Sequence, residues 1–380
     1  MRPHHKSLCH ILCGGAVVIA TGPASAAFVE DSKASIDLRN FYMNRDFRSG
    51  DGQSKAEEWA QGFMLKMESG YTEGPIGFGV DAIGLLGVKL DSSPDRVGTG
   101  ILQSDREAPN RAQDDYGSAG ITAKAKLSAT TLHVGTLQPI LPVVMRNDSR
   151  LLPQTYRGAW LQSKEIDGLT LDLGKLDRVN QRNSSDNEEM TAFNGIYKEH
   201  NFGLVHVLPL GDKQSFKSDL RYVHQTDDGG SNVDADAFGA MFTYKLGGHA
   251  FGAGYQQLNG DTGFAYIAGS DNSLVNLVQI NDFGNEDERS WQVRYDYDFA
   301  AMGIPGLSLM TRYLSGDNVD RGAGVSEGKT WERNTDIAYV FQSGPLKNLG
   351  LRLRNATTRS NFGSDLDENR FIVSYSLPLW

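Results

Sequence analysis

The arginines are the first residues to follow in this chain, because of where alternation places them. In LGLRLRNATTR (349–359), Leu351, Arg352, Leu353 and Arg354 alternate strictly. Successive side chains of a β-strand point to opposite faces, so Arg352 and Arg354 share one face and the leucines the other. WQVRYDYDF (291–299) repeats the pattern, with Trp291, Val293, Tyr295, Tyr297 and Phe299 opposite Gln292, Arg294, Asp296 and Asp298. RFIVSYSLPLW (370–380) sets Arg370, Ser374 and Ser376 against Phe371, Val373, Tyr375 and Leu377. A guanidinium fork holds a carboxylate through two hydrogen bonds and stays charged at any physiological pH. Several such groups in succession form weak sites between which an anion can move, where one tight site would trap it.

Other chemistries find little support. A hydrolase needs a nucleophile, a base and an orienting group within reach of one another. His133, His200, His206, His224 and His249 stand in no recognisable nucleophile context. The string DFG (282–284) lacks the other kinase motifs and is a chance match. SGDNVDRG, with Asp317 and Asp320, falls short of a calcium-loop pattern and reads as a solvated loop. No catalytic residue, metal site or cofactor is expected.

The N-terminus bears on the compartment. Arg2 and Lys6 precede a short apolar run from Leu8 to Ala20 and the small-residue site Ala24-Ser25-Ala26. This is the layout of a cleaved secretory signal, residues 1–26, with cleavage after Ala26 or Ala27 and a single exported domain over 27–380. Both cysteines, Cys9 and Cys13, lie in the signal, so the mature chain would hold no disulfide and no thiolate metal site. Loss of Arg2 and Lys6 moves the formal charge from −10 to about −12. Such an acidic chain offers no general footprint for nucleic acid.

The elements that must position the arginines are strands. Hydrophobic residues make up 39% of the chain and glycine supplies 43 positions, a composition suited to a β-protein with many turns. Alternation over about ten residues recurs, the span of a tilted strand crossing a bilayer. Asp167-Gly168 and Gly247-Gly248 mark tight hairpins, and short connectors also occur at 72–75, 210–213 and 302–306. Between them run long polar connections at 92–114, 139–154, 179–194, 226–236, 259–289, 315–331 and 359–369. Short turns alternating with long loops, and about sixteen strands, describe an antiparallel transmembrane barrel with short periplasmic turns and long outer loops. Barrels of that size enclose an aqueous channel, so the leucines would face lipid and the arginines the lumen. A soluble sandwich, with leucines in a core and arginines in water, is the competing setting.

With these motifs in view, the sequence resembles the OprD-type substrate-specific porins, the outer-membrane carboxylate channels. The resemblance runs through FVEDSKASIDLRNFYMNRDF (28–47), LPVVMRNDSRLLPQTYRG (141–158), ERSWQVRYD (288–296), IPGLSLMTRY (304–313), QSGPLKNL (342–349) and ENRFIVSYSLPLW, with SRLLPQT (149–155) the most specific piece. It implies passive, substrate-selective diffusion of small carboxylate-bearing solutes, organic or aromatic acids, across the outer membrane of a Gram-negative bacterium. It also implies a third outer loop folded into the barrel, here about 139–156, with Asp148, Ser149, Pro153 and Tyr156 at the constriction. A basic row would guide the carboxylate, at Arg39, Arg146, Arg150, Arg157, Arg294, Arg312, Arg352, Arg354 and Arg370. Asp148, Asp271 and Asp282 are candidates to accept a substrate ammonium group. The terminal aromatic, Trp380, resembles the ends recognised by the barrel assembly machinery. Lipid and lipopolysaccharide are the expected surroundings, and a monomer or loose trimer the expected state. A porin selective for basic amino acids, a non-transporting structural or adhesive barrel and an outer-membrane hydrolase are the alternatives.

The chain departs from the family at one place. The family has 18 strands, and after 168–178 its members run down and up once more. Here only NSSDNEEMTAFNG (183–195) stands in that position. A narrower sixteen-strand barrel, a damaged copy, or a seam left incomplete is the expectation.

Overall fold

A computed structural model describes residues 26–190, 196–269 and 273–380. Residues 1–25 of the expected signal, and the candidate Asp271, lie outside the described residues. After a five-residue helix, Ala26–Glu30, the chain is built of antiparallel strands in a single 17-stranded sheet. They are β1 (Lys33–Phe47), β2 (Lys55–Glu68), β3 (Gly77–Asp91), β4 (Asp115–Leu127), β5 (Thr130–Leu137), β6 (Thr155–Ile166), β7 (Leu169–Asn180), β8 (Asn187–Glu189) and β9 (Tyr197–Gly211). There follow β10 (Gln214–Asp227), β11 (Asp234–Leu246), β12 (His249–Asn259), β13 (Arg289–Asp298), β14 (Leu307–Val319), β15 (Gly328–Val340), β16 (Gly350–Ser360) and β17 (Leu366–Pro378). Sixteen are long, and β8 is a three-residue strand in the connection between β7 and β9.

The short turns gather at one end and the long loops at the other. Asp167-Gly168 and Gly247-Gly248 are the two-residue turns that the sequence marks, and Gly168 sits at φ +76°, a left-handed conformation that a Cβ disfavours. The first and last strands meet in the sheet. β1 pairs with β17 from Ser35 opposite Pro378 to Phe47 opposite Leu366, and the Leu379 amide donates to the Ala34 carbonyl at 2.8 Å.

The faces sort as a membrane barrel requires. Phe63, Phe78, Ile121, Leu171, Phe202, Val293 and Phe371 are exposed on the outer face, and Leu353 is 55% exposed. Charged and amide side chains line the inner face, among them Glu58, Lys124, Asp219, Gln225, Gln256, Gln292, Glu332 and Arg370, all buried. Apolar outside with polar inside is the inverse of a soluble sandwich.

The interior packing comes from loops. Loop 138–154 turns inward as expected, and loop 92–114 and the described residues of loop 260–288 do so as well. Ile101, Leu102, Leu151 and Leu152 pack on the inner-wall residues Phe41, Met43, Ala60, Met64 and Leu85. Gly62 permits this approach, since a Cβ there would lie 3.2 Å from the Leu151 side chain and carbonyl oxygen. Phe264 and Leu274 pack on Val223, Ala237 and Leu258. Val144, Tyr156, Val179 and Ala268 form a third cluster, where loops 138–154 and 260–288 meet.

Sheet pairing runs without a break from β9 through β17 and β1 to β7. β8 covers the loop end of β7, with Arg178 opposite Glu189 and Asn180 opposite Asn187. Among the described residues no ladder joins β7 or β8 to β9, so the sheet is open at the place where 183–195 falls short of a hairpin.

Candidate functional site

Strand β1 carries Asp37, Arg39, Phe41 and Met43 on its inner face, and this places Arg39 beside the inward loop 138–154. Its Nη1 donates to Asp148 Oδ1 at 2.7 Å and to the Arg150 and Leu151 carbonyls at 2.7 and 3.3 Å. Arg39 thus binds the loop to the wall. Together with Lys66, Arg146, Asp148 and Pro153 it lines a cavity of about 220 Å³. Arg146 donates to the Gln138 carbonyl at 3.5 Å, within the loop.

Most of the remaining loop candidates are taken up by contacts within the protein. Arg150 is 9% exposed; its Nε donates to the Thr99 carbonyl at 3.0 Å and so joins loop 138–154 to loop 92–114. Burial first, then the neighbouring Arg370 and Arg182 guanidinium groups, pulls the Arg150 pKa down. Ser149 is a junction: its carbonyl accepts from Arg370 Nη1 at 3.3 Å and its hydroxyl from Arg182 Nη1 at 2.6 Å. Tyr156 is wholly buried, its hydroxyl donating to Gln154 Oε1 at 2.9 Å. Arg157 lies exposed on β6 next to a register shift, across from Arg178 on β7 and away from the arginines of the wall described next.

The wall from β13 to β17 brings together Arg294, Arg312, Arg352, Arg354 and Arg370. Arg294 lies directly opposite Arg312, and Arg354 directly opposite Arg370. Each sits among wall acids or amides. Arg294 grips Asp296 with Nε and Nη2, both at 2.7 Å. Arg312 Nε donates to Asn334 Oδ1 at 2.6 Å. Arg352 Nε donates to both Asp336 oxygens, at 2.8 and 2.9 Å, and Arg354 Nε lies 3.0 Å from the same carboxylate. The side chains of Arg294 and Arg352 are the open ones, 38% and 48% exposed. Both face a cavity of about 670 Å³ at the turn end, shared with Lys217, Lys245, His249 and Tyr297. Arg370 is 2% exposed and ties loop 138–154 to loop 260–288. Nε bonds Glu368 Oε1 at 2.6 Å, Nη2 donates to the Gln279 carbonyl at 3.1 Å, and Nη1 reaches Ser149.

The sequence alone did not show that the sixth outer loop, 260–288, packs against the inner wall. Its segment Gln279–Asn281 is fastened to the wall at each residue. Gln279 Nε2 donates to Glu368 Oε1 at 2.9 Å; the Ile280 and Asn281 amides donate to Glu332 at 3.1 and 2.8 Å. Asn281 Nδ2 adds bonds at 2.7 Å to Glu332 and to Thr358. Further along, Gln225, Gln256 and Gln292 bond the loop at Ala265, Phe283 and Val275. The available signal was this set of amides and carboxylates on inner-face positions, each needing a partner once buried. Asp282 lies exposed in this loop beside a cavity of about 320 Å³ that also meets the buried Glu288. Burial pushes the Glu288 carboxyl upward.

Comparison with known proteins places this geometry in context. The family described as "outer membrane porin, OprD family" matches the chain in two stretches, residues 26–195 and 192–379. The chain is 38% identical to Porin-like protein GalP of Pseudomonas putida over 391 positions, covering 93% of each. Those positions outnumber the 380 residues here, so that relative carries residues without a counterpart in this chain. Among solved structures, OpdQ of Pseudomonas aeruginosa is 57% identical, with a TM-score of 0.84 covering 93% of this chain and 100% of that one. OpdK of Pseudomonas aeruginosa, solved with vanillate, is 38% identical, with a TM-score of 0.85 and the same coverage.

Proposed function

The chain belongs to the OprD family of outer-membrane porins, and from that premise we propose that it passes small carboxylate-bearing solutes, organic or aromatic acids, by diffusion down their gradient. It is a substrate-specific channel of the outer membrane and not an enzyme. The observation that carries the substrate reading is the juxtaposition of Arg294 with Arg312 beside the open Arg352. Like charges directly opposite on a sheet repel, and an anion between them relieves the repulsion. The wall acids leave donors to spare. A guanidinium has five N–H groups, and Arg294 and Arg352 hold their acids through Nε and Nη2, leaving Nη1 for a passing carboxylate. A net-acidic protein with this wall presents a local field opposite to its overall charge. The vanillate bound by OpdK is itself an aromatic carboxylate, which supports the same reading.

Signal 1–26 would deliver the chain for export, and the β17 end at Trp380 would mark it for the assembly machinery. Passage is tested by single-channel current through the refolded protein in a planar bilayer, with benzoate and arginine supplied separately. Current carried or blocked preferentially by benzoate is the expected result. Preference for arginine would replace this reading with that of a basic amino-acid porin, with Asp148 and Asp282 as the groups to examine.

A further inference from the structure

The open seam has a closing partner within the same chain. Below the three residues that β8 covers, the outer edge of β7 has no ladder among the described residues, and neither has that of β9. Both edges belong to the wall of a membrane barrel, where an unpaired backbone N–H or C=O meets hydrocarbon in place of water. Barrels span membranes because closure removes such edges. We infer that in the membrane β7 and β9 pair with each other, antiparallel, and close this pore as a ring of sixteen long strands.

Direction, tether and face all agree. β7 rises from the turn at 167–168, and β9 descends to the turn at 212–213, so side by side they are antiparallel. The connection between them, 181–196, joins their loop ends, which lets the strands meet along their length without a crossover. On β7, Leu169, Leu171 and Leu173 are exposed on the outer face, continuous through β6 with Leu161 and Ser163. On β9 the outer residues are Phe202, Leu204, Leu208 and Leu210, opposite outer positions of β10 such as Tyr222 and Phe216. A register that sets these leucines against one another continues the lipid-facing belt across the seam. A slip of one residue would turn Asp172 toward lipid, and a buried face forbids such a slip. Gly174 and Gly203 stand on the inner faces of the two edges, where they leave room for close approach. The seam also falls where the two family-matched stretches meet, at 192–195. An omitted strand pair keeps every remaining strand in its original direction.

Cysteine cross-linking in the outer membrane tests the pairing independently of what the pore transports. The only native cysteines are Cys9 and Cys13, so introduced pairs report alone. Leu171→Cys with Ser163→Cys, opposite each other on β7 and β6, is the positive control. The test pairs join Leu173→Cys to Leu204→Cys or Leu208→Cys, and Leu171→Cys to Leu208→Cys. Asp172→Cys with Leu208→Cys breaks the face match. Closure predicts an intramolecular disulfide in at least one face-matched pair, formed at least about tenfold more than in the mismatched pair, because the bond needs Cα atoms within about 7 Å. A working control with no face-matched cross-link would overturn the inference. Cross-links joining two chains would overturn it too, and would hand the seam to a second copy.

Discussion

Cutting the Glu332 tether should let the sixth outer loop leave the lumen, and the cost follows from the bonds involved. Glu332 is fully buried and accepts from the Ile280 amide, the Asn281 amide and Asn281 Nδ2, at 3.1, 2.8 and 2.7 Å. Glu332→Ala removes a charged acceptor and leaves two backbone amides without partners. A buried group so stranded costs about 1–3 kcal/mol, and a bond to a charge contributes about 1.5–3 kcal/mol. A loss of about 3–5 kcal/mol is expected for the loop's inward position, since the bonds are not independent. At about 1.4 kcal/mol per decade, the ratio of released to seated loop rises roughly a hundredfold or more. Glu332→Gln keeps one acceptor oxygen but points an N–H pair at other donors, so its effect should be intermediate. Single-channel recording reads the change as larger, noisier current steps than wild type. Barrel integrity is checked on the same preparation by far-ultraviolet circular dichroism. A folded Glu332→Ala barrel with wild-type step size and noise would refute the reasoning, and the loop would then owe its place to the Phe264–Leu274 packing.

Other perturbations separate the roles of neighbouring residues. Arg39→Gln loses the ion pair to Asp148 and at least one loop carbonyl bond, so conductance should rise and solute selectivity fall in the same bilayer assay; unchanged selectivity would deny Arg39 its hold on the loop. Arg294→Glu with Arg352→Glu reverses the two open charges of the wall, and the reversal potential in a salt gradient should move toward cation preference. A potential that stays put would place the anion path elsewhere. Leu353→Arg puts a charge on the lipid face and should destabilise the folded barrel by roughly 2–4 kcal/mol at mid-membrane depth, measured by urea unfolding in vesicles. Arg352→Leu, one residue away on the lumen face, should leave that stability nearly unchanged, because Arg354 still faces Asp336. Equal effects of the two would invert the assignment of faces.

The barrel was legible because its lipid face imposes a period of two that nothing inside can blur. Leu351 and Leu353 must face hydrocarbon, so the direction of Arg352 and Arg354 follows. The pairing Arg294–Asp296 was also within reach, since residues two apart share a face. The loops were not legible in this way. Ile101 and Leu102, or Phe264 and Leu274, read as stray apolar residues in polar connections until the wall that covers them is known. For the same reason Arg150, in a loop, has no parity to read, and the parity of Arg352 gives its face but not its role. One is held at Thr99 between two loops, whereas the other opens on a cavity, and only tertiary context distinguishes an anchor from a lining residue. Arg370 falls on the inner face as its parity requires, yet Glu368, Gln279 and Ser149 engage it from three sides.

The division of labour among the arginines has a consequence for the narrower barrel. Diameter grows roughly linearly with strand number, so a ring of sixteen would be about one-ninth narrower than a ring of eighteen. Loops 92–114, 138–154 and 260–288 all turn into that space, and their contacts hold Arg39, Arg150 and Arg370 as anchors. On the proposed reading, the residues left to meet a solute are those whose side chains remain open below the loops, chiefly Arg294 and Arg352. Asp296 and Asp336 balance both of them. A carboxylate that enters must share the guanidinium with an acid that never leaves, so each stop is shallow. Shallow stops favour passage over capture, and removing a wall acid should therefore slow transport even as it strengthens binding. Asp296→Asn, which frees the Arg294 fork, should raise the affinity with which benzoate blocks the channel and lower benzoate flux into liposomes. Tighter block with undiminished flux would show that exit, and not release from Arg294, limits passage.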